Sequence, residues 1–321
     1  MSNFPFEKSA FDMELEITAR RSLTAEIEEF TLAASAGDAL PAAEAGAHIT
    51  LETPSGAMRR YSLIRPDSVP TIYTIAVKRE VQSRGGSVSM HEAAGIGHRL
   101  MVEPPRNDFA LSLAHPALLV AGGIGITPIY AMAQKLVEKG RAFRAIYCTR
   151  SAAETAYARE FAQLCGDRLT LHHDGGDPDA AFDFWETFET PTAEHVYCCG
   201  PAPLMEEVKA VSGHWREGTV HFEDFRPVEV VRADDAAFTV VLAKSGIELA
   251  VPADRTILEA LRDAGYKTVS SCESGACGTC KTPYLQGEVD HRDMVLRGEE
   301  KTCRVMICVS RAKGGRLVLD L

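Results

Sequence analysis

The sequence lacks any run of roughly 18 apolar residues, so it predicts no membrane-spanning helix. Residues 1–7, Met1-Ser2-Asn3-Phe4-Pro5-Phe6-Glu7, show no basic segment ahead of an apolar one, which predicts no secretory signal. Cationic excess is missing too: 34 Lys and Arg stand against 45 Asp and Glu, a net charge of −11. Phosphate backbones reward clustered Lys and Arg, so this balance argues against a nucleic-acid binder. Residues 227–321 hold 13 cations and 14 acids, which leaves 21 and 31 for residues 1–226 and places nearly all of the deficit there. There is no internal repeat, no low-complexity segment, no G-x-G-x-x-G, no visible 2-His-1-carboxylate iron set and no nucleophile with a partnered base. The nine cysteines show no pairing pattern outside one loop, as expected in a reducing compartment. The chain therefore reads as a soluble, cytoplasmic protein, and its 321 residues allow two or three domains.

What is present is concentrated in that loop, Cys272-Glu273-Ser274-Gly275-Ala276-Cys277-Gly278-Thr279-Cys280, with Cys308 further on. The spacing C-x4-C-x2-C…C is that of plant-type [2Fe–2S] ligands. Three thiolates so close together need a tight turn whose amides point at the cluster sulfurs, and Gly275, Gly278, Ala276 and Thr279 permit it. A structural zinc favours paired C-x2-C spacings, and a cytosolic chain rarely keeps disulfides. Cys303 competes as fourth ligand, but Cys308 has the more apolar setting and gives the longer loop. The ligand set is therefore Cys272, Cys277, Cys280 and Cys308.

Upstream, apolar and polar residues alternate in short runs at 13–17, 27–32, 48–51, 61–64, 71–77 and 99–102, separated by Gly, Pro and Asp. That rhythm predicts an antiparallel barrel or sandwich. From about residue 115 the pattern becomes strand–helix alternation: strands at 117–121, 143–148, 169–172 and 195–199, and helices reaching 139 and spanning 155–164 and 203–211. This predicts a parallel, doubly wound sheet. Residues 227–235 read as a linker, followed by strands at 238–242 and 247–251 and a helix over 256–264.

Gly122-Gly123-Ile124-Gly125-Ile126-Thr127-Pro128 sits between a strand and a helix, where backbone N–H groups can hold a pyrophosphate. A structural tight turn would use the same glycines. Cys199-Gly200-Pro201 leaves a later strand at the same sheet edge, so both turns are expected to line one crevice. Arg84-Gly85-Gly86-Ser87 reads either as a phosphate cradle or as a polar turn. Phe225 reads either as a core residue or as an aromatic lid.

Arg59-Arg60-Tyr61-Ser62 resembles the R-x-Y-S flavin motif of the ferredoxin–NADP reductase superfamily, Gly122–Pro128 resembles its nucleotide turn, and Cys199-Gly200-Pro201 resembles its C-G-P. With a plant-type cluster at the C-terminal end, the order resembles the phthalate dioxygenase reductase family over nearly the whole chain. That resemblance implies an FMN-binding antiparallel β-barrel at 1–112, a Rossmann-like parallel α/β NAD-binding domain at 113–226, a linker at 227–235 and a β-grasp ferredoxin domain at 236–321.

It also implies roles. Tyr61 packs on the isoalloxazine, Ser62 lies near N5, Arg59 offers charge, and Lys78 joins the cofactor-binding set. Arg84, Gly86 and Ser87 receive a terminal phosphate, which favours FMN, while FAD members use a related turn for a pyrophosphate. Gly122, Gly123, Gly125, Thr127 and Pro128 hold the nicotinamide dinucleotide. Thr149, Arg150 and Asp174 take its ribose end, and Cys199, Gly200 and Pro201 the nicotinamide side. Cys199 is then a contact, not a nucleophile, Phe225 lies against the flavin, and Cys148, Cys165 and Cys198 are small buried residues. NADH is expected, although Arg150 and Ser151 would also suit a 2′-phosphate.

The implied activity is that of a monomeric reductase passing electrons from NADH to FMN, to [2Fe–2S], and then to a Rieske-type non-haem iron oxygenase that dioxygenates or demethylates an aromatic or similar substrate. Two other readings are a non-turnover flavin and iron–sulfur subunit of a fixed dehydrogenase complex, and a redox sensor. Rapid NADH-driven cytochrome c reduction would eliminate both.

Overall fold

The computed structural model describes residues 13–34, 37–81, 85–225, 232, 234–266, 268–270, 275, 278–293 and 295–321. The chain divides into two compact units, one ending at Phe225 and one covering 226–321.

The first unit opens with six antiparallel strands: β1 (Met13–Ser22), β2 (Ile27–Ala34), β3 (His48–Glu52), β4 (Met58–Ser62), β5 (Ile72–Lys78) and, after helix α1 (Gly86–Ala93), β6 (Arg99–Val102). Their order is β4-β3-β6-β1-β2-β5. The Ile64 N–H donates to the Thr74 carbonyl at 3.0 Å, which brings the two sheet edges together and curls the sheet. Alternate residues point inward, and Leu15, Ile17, Phe30, Leu32, Ile49, Leu51, Tyr73, Ile75, Leu100 and Val102 share one core.

The strand–helix half follows: β7 (Ala117–Gly122), α2 (Ile126–Glu138), β8 (Phe143–Thr149), α3 (Ala158–Cys165), β9 (Leu169–His173), α4 (Trp185–Phe188), β10 (His195–Cys199), α5 (Ala202–Val211) and β11 (Val220–Glu223). All strand pairs are parallel, in the order β11-β10-β7-β8-β9. Leu119, Ala121, Tyr147 and Tyr197 pack on the face covered by α2 and α3. Leu118, Val120, Ile146 and Cys198 face α4 and α5. Burial on both faces explains the continuous apolar runs in the sequence.

The helix expected from 155 starts at Ala158, because Tyr157 adopts φ 57, a left-handed conformation disfavoured for a side-chain-bearing residue. Its hydroxyl donates to Glu29 of β2 at 2.7 Å in a buried position. Arg21 holds the same carboxylate at 3.1 and 3.2 Å, and also Glu160 at 2.8 Å. This network ties the barrel to the nucleotide sheet. Tyr157→Phe is expected to cost about 1–2 kcal/mol in urea unfolding with the denaturant slope unchanged.

The second unit contains β12 (Phe238–Leu242), β13 (Ile247–Val251), α6 (Ile257–Asp263), β14 (Lys281–Gln286), β15 (Val289–Asp290), β16 (Arg304–Met306), β17 (Arg311–Ala312) and β18 (Arg316–Leu319). Strands β12 and β18 pair in parallel inside a sheet ordered β13-β12-β18-β14-β16. Helix α6 starts at a capping box in which Thr256 Oγ1 accepts from the Glu259 N–H and the Glu259 carboxylate accepts from the Thr256 N–H. Its buried face, Ile257, Leu258 and Leu261, shares a core with Val240, Leu317 and residues 305–309.

Candidate functional site

Strands β7 and β10 are neighbours, while β8 and β9 run outward from one and β11 from the other. The strand order therefore reverses between β7 and β10, and sheets of this kind bind ligands in the crevice beyond such carboxyl ends. Both sequence-derived turns stand there, in contact. A Cβ on Gly125 would lie 2.2 Å from the Cys199 carbonyl oxygen, and one on Gly122 would lie 2.5 Å from Pro201 Cδ. A Cβ on Gly200 would meet the Gly122 backbone at 3.0 Å. Three glycines thus let two backbones touch at the mouth of the crevice. Thr127 caps its own turn, its hydroxyl donating to the Ile124 carbonyl at 3.1 Å, and Pro128 sits buried in the first turn of α2. The N-cap of α2 has no side-chain hydrogen bond and its first turn carries no acid, which suits an anion at that helix end.

Register sets what faces the crevice. Cys199 pairs with Ala121 on one side and Glu223 on the other. The Ser62 hydroxyl, at the end of β4, donates to Glu223 at 3.4 Å. Barrel and sheet therefore meet at Ser62, Glu223 and Cys199. Cys199 is fully buried, and burial pushes its thiol well up, so it remains a protonated contact group.

Glu223, which sequence reasoning passed over, is the most perturbed carboxyl beside Ser62. Loss of hydration, with Asp108 adding repulsion, pushes it up to about 8 against the opposing Arg60 and Ser62. The readable signal was an acid at the carboxyl end of a strand, two residues before Phe225. His48 was passed over too. It pairs across the sheet with Ser62, is 2% exposed, and neither ring nitrogen finds a hydrogen bond. Burial and then Arg60 and Arg106 lower it to about 3, which keeps it neutral.

The Glu223 shift has a measurable sign. The native carboxyl keeps its proton to about pH 8 and the unfolded one releases it near 4.5, so stability present below pH 4.5 is lost as pH rises towards 8. Glu223→Gln is expected to flatten the decline in melting temperature of the flavin-free protein between pH 5 and 8. A decline as steep as the wild type's would contradict the assignment.

On β4, Arg59 and Tyr61 alternate with Arg60 and Ser62. The Arg59 guanidinium lies against Gly86, where a Cβ would approach Nε to 2.8 Å. Gly85, at φ 83, caps α1. A cation over a helix N-terminus with no intervening side chain fits a phosphate. The Tyr61 hydroxyl is buried without a hydrogen bond, and desolvation raises it. Such an orphan costs about 1–3 kcal/mol unless met, and a hydroxyl of a bound ligand would meet it. These residues fit a flavin phosphate.

Some expected residues are engaged elsewhere. Ser87 Oγ accepts the Glu80 N–H at 3.0 Å, and Lys78 pairs with Glu80 at 2.9 Å. Thr149 is buried in a network with Thr155 and His173, both at 2.8 Å. Asp174 accepts the Gly176 N–H at 2.7 Å, and its own N–H reaches the Thr149 carbonyl at 3.2 Å, so Thr149, Arg150 and Asp174 do share one corner. Phe225 is 42% exposed and ends the unit. Cys148, Cys165 and Cys198 are buried. Arg84 lies outside the described residues.

In the second unit, Cys280 and Cys308 are 3% and 1% exposed. Cys272 and Cys277 lie outside the described residues. Gly275 and Gly278 take φ 72 and 79, and a Cβ on Gly275 would meet Val309 Cγ2 at 2.8 Å and Asp293 Cα at 3.1 Å. Position 275 thus needs glycine, being close-packed and left-handed, which fits a tight ligand loop. Cys303 is exposed, with its thiol 3.8 Å from the carbonyls of Glu299 and Glu300.

Comparison with known proteins agrees with these pieces. A family model described as 2Fe-2S iron-sulfur cluster binding domain matches residues 240–313, and one described as Oxidoreductase NAD-binding domain matches 119–210. The chain is 47% identical over 316 residues to the phthalate dioxygenase reductase of Burkholderia cepacia, covering 96% of this chain and 97% of that protein. It is 45% identical over 311 residues to the phthalate 4,5-dioxygenase oxygenase reductase subunit of Pseudomonas putida, covering 96% of each. A solved structure of phthalate dioxygenase reductase, described as a modular structure for electron transfer from pyridine nucleotides to [2Fe-2S], superposes with a TM-score of 0.82 over 96% of this chain and 98% of that one.

Proposed function

The chain belongs to the phthalate dioxygenase reductase family, and from that premise we propose that it is the NADH-dependent reductase component of a two-component Rieske non-haem iron oxygenase, with FMN as its flavin. The meeting of Ser62, Glu223 and Cys199 at the switch point between β7 and β10 carries the reading. Bound there, a flavin would take a hydride from NADH and return its electrons singly to the iron–sulfur cluster.

The protein's own work is positional. Gly122, Gly123 and Gly125, with the start of α2, receive the dinucleotide pyrophosphate. Thr149, Arg150 and Asp174 flank its ribose end. Gly200 and Pro201 hold the nicotinamide turn against Gly122, and buried Cys199 closes its floor without reacting. Arg59 and the α1 N-terminus would take the phosphate of FMN, Tyr61 would supply an aromatic wall, and Phe225 would lie against the ring. Glu223 can hold a proton at neutral pH beside the Ser62 hydroxyl. Cys272, Cys277, Cys280 and Cys308 hold the cluster, with the two described thiols shielded from water, and the outgoing electron is passed to the partner protein.

The test is reconstitution. Purified protein, NADH and a phthalate-type Rieske oxygenase are mixed anaerobically, with the released flavin identified by mass. FMN release and bleaching of the Rieske centre only when all components are present are expected, with kcat/KM higher for NADH than for NADPH. Rapid cytochrome c reduction without bleaching of any Rieske centre would overturn the partner assignment.

A further inference from the structure

Ahead of β12 in the second unit, the Asp235 carboxylate is gripped by two buried arginines. Arg292 donates to Asp235 through Nη1 at 2.8 Å and Nη2 at 2.5 Å, and through Nε to Asp290 at 2.7 Å. Arg311 Nε stands 3.5 Å from the same carboxylate. The side chains of Arg292, Arg311 and Asp235 are 4%, 3% and 6% exposed. Arg292's hydrogen bonds hold Asp235 down at about 2. Burying such a network costs desolvation that apolar residues would avoid, so stability alone is a weak reason for it.

Its neighbours supply a better one. The next residue, Asp293, has a side chain that is 0% exposed. Its carboxylate accepts the N–H groups of Val295 and Leu296 at 3.1 and 2.7 Å and the Ser310 hydroxyl at 3.5 Å. Ser310 Oγ in turn accepts the Arg292 N–H at 3.3 Å. Gly275, between Cys272 and Cys277, rests on Asp293 Cα and Val309. Val309 and Ser310 directly follow Cys308. Consecutive residues therefore do two jobs: Arg292 grips Asp235, and Asp293 packs against Gly275.

We propose that Asp235 is a positioning residue for the [2Fe–2S] cluster, acting through Arg292 to fix the Asp293–Ser310 pair beside Gly275. The proposal rests on the reading of the four cysteines as cluster ligands. Wild-type holoprotein giving a reduced [2Fe–2S] paramagnetic resonance signal establishes that reading separately, so a negative result with the variant counts against the positioning role alone.

The experiment compares full-length holoproteins of the wild type, Asp235→Asn and Glu248→Gln, the last breaking an exposed pair with Arg316 at 3.0 Å in the same unit. Cluster bleaching by an iron chelator is followed well below the melting temperature, together with the resonance line shape of the reduced cluster. Asp235→Asn is expected to lose its cluster roughly tenfold faster, as for other outer-shell changes at metal sites, or to alter the line shape, with Glu248→Gln matching the wild type. If Asp235→Asn does not fold, Arg292→Lys is read the same way. A folded variant with a lower melting temperature but wild-type bleaching and line shape overturns the proposal.

Discussion

Exchange of Cys308 for serine is expected to erase the [2Fe–2S] resonance signal and to cut NADH-driven reduction of a one-electron protein acceptor by roughly 100-fold or more, because the cluster is the relay to that acceptor. Flavin bleaching by NADH should persist in the variant. The effect is large because the position has little freedom. Cys308 is 1% exposed among Val305, Met306, Ile307 and Val309, and the Leu258 N–H of α6 fixes the preceding backbone through the Ile307 carbonyl at 3.0 Å. The same exchange at exposed Cys303 should leave signal and rate as in the wild type. Loss of the signal in Cys303→Ser, with retention in Cys308→Ser, would reverse the ligand assignment. Visible and resonance spectra of the two purified variants decide it.

Gly125→Val is expected to lower the rate of flavin reduction by NADH about 100-fold or more while flavin and cluster remain bound, since misplacement by an ångström costs that much in an aligned transfer. The added atoms have nowhere to go. The Cβ alone would sit 2.2 Å from the Cys199 oxygen, 2.4 Å from its carbonyl carbon and 2.7 Å from the Gly200 nitrogen, all backbone atoms. Either the C-G-P turn moves away from the nucleotide turn or the crevice closes. Gly123→Ala is the companion: at φ 52 with nothing within 4 Å of its Cβ, it meets only backbone strain of about 1–2 kcal/mol and should keep most of its activity. Stopped-flow reduction of the two variants across NADH concentrations separates binding from hydride delivery. Equal rates would show that the contact between the turns is dispensable.

Much of the architecture was legible because its strands are patterned. Alternation marked all six barrel strands, although the run expected at 61–64 pairs as Met58–Ser62. Both-face burial marked β7, β8 and β10. Strand β11 was not legible: Val220–Glu223 is short and mixed, and its place is set by pairing with β10. Strands β14 to β18 were equally silent, being two to six residues long and interrupted by turns.

At the site, glycines and cysteines were readable since their spacing carries their geometry. Glu223 was not, because its significance lies in a contact with a hydroxyl 161 positions away. The ribose-corner and phosphate-turn expectations show the converse. Thr149, Ser87 and Lys78 have the right chemistry by type, yet the fold spends their polar atoms on His173 and Thr155, on the Glu80 backbone and on the Glu80 carboxylate. Composition reveals a donor but not whom it serves.

An anaerobic titration of the purified protein with NADH, followed by visible and paramagnetic resonance spectra after each addition, tests the central claim most directly. Bleaching of the flavin together with growth of a reduced [2Fe–2S] signal is expected, the electrons in both centres summing to those supplied. A flavin that NADH leaves oxidised, in protein whose cluster dithionite still reduces, would contradict the reductase reading and favour a subunit fed by a partner's flavin.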